Sequence, residues 1–106
     1  MKETTQTTPL TGQATEAEIE MWKRLFGDIF STIVEHHIAY FKKPSRQQMS
    51  YAMLFAGNPM KQAETLLREC FVGGSNEILN NMEYMLSASS IVNTLVEMKH
   101  VEVAKL

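Results

Sequence analysis

The sequence has little of what marks several large classes of protein. Cys70 is the single cysteine among 106 residues, which excludes a disulfide within the chain and favours a reducing compartment. The longest apolar run, residues 51–57, is far shorter than the roughly 20 residues of a membrane-spanning helix. The first fifteen residues lack an apolar segment, so we expect no signal peptide. These absences predict a cytoplasmic protein without membrane association.

Neither sign of charge dominates. Ten Lys and Arg residues against twelve Asp and Glu residues give a net charge of −2, and the charges are spread along the chain. Lys42, Lys43 and Arg46 form the only basic cluster, which we interpret as the solvated end of a hairpin. Because no basic stripe forms, we expect no nucleic-acid partner. The length and the 44% apolar content predict one folded domain.

The N-terminal third predicts a tail followed by a helix. Residues 1–14 are rich in Thr and Gln and have too little apolar surface to offset the entropy of ordering, so we predict a disordered tail. Thr15 and Glu18 have the spacing of a capping box, which begins a helix that Gly27 ends. Apolar side chains recur with helical spacing and predict one buried stripe centred on a core tryptophan: Ile19, Trp22, Leu25 and Phe26.

A β-hairpin is predicted next. Residues 29–34 and 38–43 are rich in β-branched and aromatic side chains, and Glu35, His36 and His37 are interpreted as the turn between them. Pro44 cannot donate to a strand ladder and ends the second strand. Because a lone hairpin is marginal in water, we expect it to pack against the helices.

Helices are predicted for the rest of the chain. Ser45 and Gln48 form a second capping box, and Asn58 with Pro59 begins a third helix that ends at Gly73-Gly74. The third helix carries one apolar stripe: Met60, Ala63, Leu66, Leu67, Cys70 and Phe71. Glu64 and Arg68 are spaced for an ion pair. Helical spacing continues from Ile78 to Met98, with a break or a bend at 87–90.

These elements predict the fold class. Residues 15–106 are expected to form a single α+β domain, mostly α, in which a β-hairpin packs against four to five helices.

No group of residues predicts an enzyme, a metal or a cofactor. His36 and His37 are adjacent, so in a strand their rings point to opposite faces, and no third ligand has suitable spacing. Cys70 lies on an apolar stripe, where a thiol behaves as a small hydrophobe. Gly73-Gly74 follows a helix and lacks the lysine of a phosphate-binding loop.

The stretch "YAMLFAG", residues 51–57, is apolar nearly all round its helix. Met49, Ala52, Met53 and Ala56 share one face, which is sufficient to bury against the domain. The other face is formed by Tyr51, Leu54 and Phe55. We predict that at least one of these three is incompletely buried and contributes to binding a partner or to self-association.

Eight methionines in the sequence leave two interpretations open. Most of them fall on or beside helical stripes, where flexible thioethers fill an irregular core. Alternatively, they form an adaptable surface for apolar segments of another chain.

Several segments taken in order resemble small proteins of phages and prophages. They are "EMWKRLFGDIF", "FKKPSR" leading into "SYAM", "LLRECFVGG", "NEIL", "SAS" and a C-terminal "EVAKL". The resemblance spans residues 15–106 and is to the tail assembly chaperones of long-tailed phages. None of these segments is a catalytic signature, and the family has no fixed binding motif that could be transferred to this chain.

The resemblance implies a function without catalysis. A protein of this family binds the long, aggregation-prone tape-measure protein in the host cytoplasm during tail assembly. The alternatives are a structural virion protein of the tail or connector, which stays in the particle, and another small helical interaction module.

Overall fold

The computed structural model describes residues 10–96 and 101–106. It has the predicted α+β class with helices predominant, and the hairpin belongs to a three-stranded antiparallel sheet. The helices are α1 (Glu16–Phe26), α2 (Arg46–Met53), α3 (Pro59–Cys70), α4 (Glu77–Asn80), α5 (Met82–Ala88) and α6 (Val92–Leu95), with a 3₁₀ turn at Ser89–Ile91. The strands are β1 (Ile29–Val34), β2 (His37–Lys42) and β3 (Phe71–Gly74).

The predicted helix starts are confirmed. The Thr15 hydroxyl accepts from the Glu18 N–H at 3.1 Å while the Glu18 carboxylate accepts from the Thr15 N–H, which completes a capping box at α1. Ser45 and Gln48 make the same exchange at α2. Asn58 caps α3, and Pro59 is its first residue.

The hairpin lies where the sequence predicted it, with a tighter turn. β1 and β2 pair without a bulge from Ile29–Lys42 to Val34–His37. The turn is therefore two residues, Glu35 and His36, and His37 belongs to the second strand instead of the turn. Glu35 supplies the left-handed conformation that the turn requires, with φ 54°.

A third strand was not predicted. Residues 71–74, interpreted from sequence as the end of α3, pair with β2 on the side opposite β1. Gly74 has φ 110°, and a Cβ at this position would lie 2.6 Å from the Ile38 carbonyl oxygen, so only glycine fits. Glycines usually weaken a strand, and for this reason the pair suggested a helix end.

The hydrophobic core lies between one face of the sheet and helices α3 to α6. It contains nine buried side chains: Ala39, Phe41, Leu67, Cys70, Ile78, Met85, Ala88, Ile91 and Leu95. β2 is the central strand, and the four residues from Ile38 to Phe41 are buried. The α3 stripe is only partly buried, because Met60 is exposed and Phe71 leaves the helix for β3.

The prediction that α1 buries its apolar stripe is wrong. No residue of α1 is buried, and Leu25 and Phe26 are exposed. Trp22 is half-buried on the face of the sheet opposite the core, with its ring centroid 5.3 Å from that of Tyr40. The helix spacing was predicted correctly, but spacing does not tell how much of a stripe a small sheet can cover.

The predicted disordered tail requires a correction at its C-terminal end. The Thr11 N–H donates to the His36 carbonyl at 2.8 Å, and the Ile38 N–H donates to the Thr11 carbonyl at 3.0 Å. The Ala14 N–H donates to the Tyr40 hydroxyl at 3.1 Å. Residues 10–14 therefore form a strap along β2, because the strand offers backbone groups that the composition of the segment could not reveal. Residues 1–9 lie outside the described residues.

The C-terminal helical region is broken into short segments. Asn81 ends α4, and its side chain caps α5 by accepting from the Glu83 and Tyr84 N–H groups. The predicted change at 87–90 is the 3₁₀ turn at Ser89–Ile91. Met98 lies outside the described residues.

Candidate functional site

The "YAMLFAG" stretch forms a corner between α2 and α3. α2 ends at Met53, and residues 54–57 continue as tight turns in which the Leu54 N–H donates to the Tyr51 carbonyl at 3.1 Å. Ala52 is fully buried, and it is the only buried residue of the seven. Leu54, the first residue after α2, is 75% exposed. This apolar run therefore lies at the surface.

The three residues predicted to bind a partner are all incompletely buried. The structure brings two of them together, since the rings of Tyr51 and Phe55 meet edge to face with centroids 5.6 Å apart. Lys61 covers Phe55, with its Nζ 5.6 Å from the ring centroid. Leu54 is the most exposed of the three. Their role in partner binding stays a prediction.

The expected buried face of α2 is mostly at the surface. Ala52 is buried and Met49 half-buried, but Met53 and Ala56 are exposed. For Ala56 the physical reason is the length of the helix: because α2 ends at Met53, the chain turns away and residue 56 no longer shares a face with residue 52. Met53 lies within the helix and lines the neighbouring groove. A stripe read from sequence assumes that the helix continues.

An apolar groove of about 260 Å³ opens beside the corner, between α2, α3 and α6. Its lining residues are Met49, Met53, Gln62, Leu66, Val92, Asn93 and Val96. The Gln62 amide nitrogen lies 3.6 Å from the Met53 sulfur, so these two lining side chains are in contact. Met53 and Met60 were placed on buried stripes, and the sequence signal that pointed to a surface role was the abundance of methionine.

We refer to the exposed and half-buried apolar side chains at this end as the corner surface. It comprises Tyr51, Met53, Leu54, Phe55 and Met60. These aromatic rings, thioethers and one leucine can bind another chain through dispersion attraction and burial of apolar surface. They include no thiol, imidazole or carboxylate that could act as a nucleophile or as a general base.

The two histidines predicted to lack a metal role lie in different surroundings. His36 is exposed in the turn. His37 is half-buried, with Nδ1 2.8 Å from the Ser75 Oγ and its ring 5.1 Å from that of Tyr84. Within residues 10–96 and 101–106, no three His, Cys, Asp or Glu side chains are grouped so that they could hold a metal ion. His100 is outside that part.

Cys70 is a core residue. It is fully buried within the hydrophobic cluster, and burial raises the pKa of its thiol to about 11. Lys42 lowers this pKa and Glu69 raises it, both by smaller amounts. The thiolate needed for nucleophilic chemistry is therefore disfavoured at neutral pH.

In the described part of the chain, no helix is long and apolar enough to cross a membrane. Comparison with protein-family models, with curated proteins and with solved structures finds no match.

Proposed function

We propose that this protein is a non-enzymatic assembly chaperone of the phage tail type, which binds apolar helical segments of a tape-measure-like partner. The corner surface and the neighbouring groove receive those segments. Two observations support this function: the resemblance of the sequence to tail assembly chaperones, and an apolar surface suited to binding apolar segments of another protein.

The observation that carries the proposal is the exposure of Leu54. Leu54 lies in the middle of a seven-residue apolar run of which one residue is buried, so its side chain leaves apolar surface in water without a structural gain. Contiguous apolar surface of this kind is uncommon in a monomer unless it serves an interaction.

The groove supports a helical client in particular. Side chains of an amphipathic helix enter a hydrophobic groove at spacings of three and four residues. Met49 and Met53 line one wall, and their flexible thioethers adapt to different apolar side chains. Such tolerance suits a partner that offers many similar segments along its length.

The test begins with the neighbouring reading frames: a long helical protein encoded there is co-expressed with this chain and tested by affinity capture. The first variant combines Leu54→Lys with Phe55→Glu. We expect retained helical circular dichroism and loss of the captured partner, because two charges would have to be desolvated in the contact. Leu54→Lys alone serves as the second variant, since Phe55 also contacts Tyr51 and Lys61 and its replacement can perturb folding.

Leu86→Lys is the matched control, because Leu86 is 43% exposed on α5. It should leave capture unchanged. Equal capture by the parent chain and by Leu54→Lys would overturn the assignment of the corner surface.

Mass spectrometry of purified phage particles distinguishes a chaperone from a structural protein. A chaperone should be missing from the particles, whereas stoichiometric protein in the particle would identify a structural tail or connector component.

A further inference from the structure

A second surface is formed by the backbone of β1. The strand lies at the edge of the sheet, with β2 on its inner side. Among the residues that the structure describes, no backbone hydrogen bond joins positions 29–34 to any segment other than β2. The outer edge of β1 therefore presents unpaired N–H and C=O groups.

The direction of these groups follows from Ile38. Its N–H donates to the Thr11 carbonyl and its C=O accepts from the Ser75 N–H, so both point away from β1. The facing pair Ile33–Ile38 is consequently not hydrogen-bonded across β1 and β2. Because the pairing has no bulge, the backbone groups of alternate β1 residues point outwards: Ile29, Ser31 and Ile33.

The strand itself also lacks charge, proline and a bulge, three features that prevent pairing. Its sequence, "IFSTIV", contains no charge and no proline, and it is six residues long. Natural edge strands are commonly protected by lysine, proline, a bulge or a covering element. Along the chain the nearest charged residues are Asp28 and Glu35, which lie outside the strand at its two ends. Across the sheet Lys42 faces Ile29 from the inner side, and Lys43 Nζ lies 3.8 Å from the Asp28 carboxylate.

We propose that this edge pairs with β1 of a second copy of the chain, antiparallel and centred on Ser31, to give a continuous six-stranded sheet. This register is the one that pairs all three outward-pointing residues at once. Ser31 faces Ser31 of the second copy, and Ile29 faces Ile33. A shift by two residues would leave one outward-pointing residue without a partner inside the strand.

Side chains favour the same register. Ile33 is 56% exposed on the sheet face that carries α1, and pairing would cover it with Ile29 of the second copy. Phe26 lies at the Ile29 end, because Lys42, the partner of Ile29 in the sheet, places its Nζ 5.9 Å from the Phe26 ring centroid. Phe26 is 45% exposed and would lie beside Ile33 of the second copy.

The charges at the strand ends discriminate between registers. Pairing centred on Ser31 places Asp28 opposite Val34 and Glu35 opposite Gly27 of the second copy. A shift by one residue towards Thr32 would place Asp28 directly opposite Glu35, which is repulsive. A shift by one residue in either direction would also place outward-pointing backbone groups of one copy opposite inward-pointing groups of the other. A second copy is thus the self-complementary occupant of this edge.

The first test is disulfide trapping with Ser31→Cys. Facing residues of a hydrogen-bonded antiparallel pair have Cα atoms about 5.5 Å apart, within the range of a disulfide. We expect Ser31→Cys to form a covalent dimer under mild oxidation. Ser87→Cys, at an exposed serine of α5, controls for random collision between molecules. Ile33→Cys controls for register, because its two copies would be offset by about 13 Å along the strands, too far for a disulfide.

Sedimentation over a concentration series provides the second test. The parent chain should show a monomer–dimer equilibrium, and Ile33→Lys should raise its Kd by about tenfold or more, since it places a charge at the edge. Leu86→Lys should not change it. A chain that is monomeric throughout, or equal trapping at residues 31, 33 and 87, would overturn the proposal.

This inference does not depend on the proposed chaperone function. If Ile33→Lys loses the dimer but still captures the client, the result would support dimerisation through the β1 edge and leave the role of the corner surface unaffected. A monomeric chain that binds an unrelated extended peptide along β1 would show that the edge has a different occupant and would overturn the second-copy assignment.

Discussion

The indole ring of Trp22 rests directly on Gly73 of the third strand. A Cβ atom at residue 73 would lie 2.6 Å from Cζ2 of that ring, closer than non-bonded carbon atoms approach. The backbone of Gly73 does not have a positive φ, so an alanine is conformationally allowed there. The requirement for glycine at this position therefore comes from the tryptophan, and this contact fixes α1 on the sheet.

The first prediction is a coupling between these two residues. Gly73→Ala should destabilise the parent chain by roughly 1–3 kcal/mol, because the added methyl group displaces the indole ring. In a Trp22→Ala background the same change should cost far less. Chemical denaturation of the two single variants and the double variant measures the coupling.

The outcome also decides how α1 is attached. Additive effects would contradict the contact and would mean that Gly73 is required by its own backbone. Because Trp22 is half-buried, we expect Trp22→Ala alone to cost less than the roughly 3–5 kcal/mol of a fully buried aromatic side chain.

The second prediction concerns the strap at residues 10–14. A chain that starts at residue 15 should melt several degrees below one that starts at residue 10, since it loses three hydrogen bonds to the hairpin. A net contribution of about 1–2 kcal/mol is reasonable for this set, and each kcal/mol corresponds to roughly 4–8 °C at this size. Thermal melts followed by circular dichroism are sufficient.

Gly12 provides a point variant of the same experiment. Its φ is 92°, and a Cβ there would lie 2.3 Å from the Ser75 nitrogen, so Gly12→Ala should displace the strap in the full chain. Its effect should resemble that of the truncation. If the chain that starts at residue 10, the chain that starts at residue 15 and the Gly12→Ala variant all melt at the same temperature, residues 1–14 contribute nothing to stability, as the sequence alone predicted.

These two cases show which parts of the fold were predictable from sequence. The caps at Thr15, Ser45 and Asn58 and the first strand at 29–34 were predicted at the right residues, because each depends on side chains within a few positions. The β3 strand and the strap were missed. Both are short segments whose structure comes from backbone groups of β2, which are distant in sequence.

The candidate site was partly predictable for the same reason. The composition of residues 51–57 indicated more apolar surface than one short helix can bury, which led to Tyr51, Leu54 and Phe55. The exposure of Met53 and Met60 and the groove between α2, α3 and α6 depend on how the helices end and pack. Those features are tertiary, and helical spacing alone assigned both methionines to the core.

The third prediction is a loss of stability in alkaline solution that originates at Cys70. The folded thiol has its pKa raised to about 11 by burial, whereas an unfolded thiol titrates near pH 9. Above pH 9 the unfolded state therefore releases a proton that the folded state retains, so stability is full below pH 9 and falls as the pH rises towards 11. The contribution is about 2–3 kcal/mol.

Cys70→Val is the matched control for this effect. It retains a small apolar side chain in the core and removes the titrating group, so its stability should decline less between pH 9 and 11 than that of the parent chain. Urea denaturation at several pH values measures the difference. Parallel pH profiles would show that other groups, such as lysines and tyrosines, account for the alkaline loss.

The last prediction compares two leucines that sequence patterns placed on apolar helix faces. Leu67 is fully buried in the core cluster, whereas Leu54 is largely exposed at the corner. Leu67→Ala should cost roughly 2–5 kcal/mol, the sum of lost transfer free energy and of a cavity. Leu54→Ala should remain within about 0.5 kcal/mol of the parent chain, as surface substitutions do. Denaturation midpoints measured under identical conditions provide the comparison, and a large cost at Leu54 would mean that the 51–57 stretch is part of the core and not a binding surface.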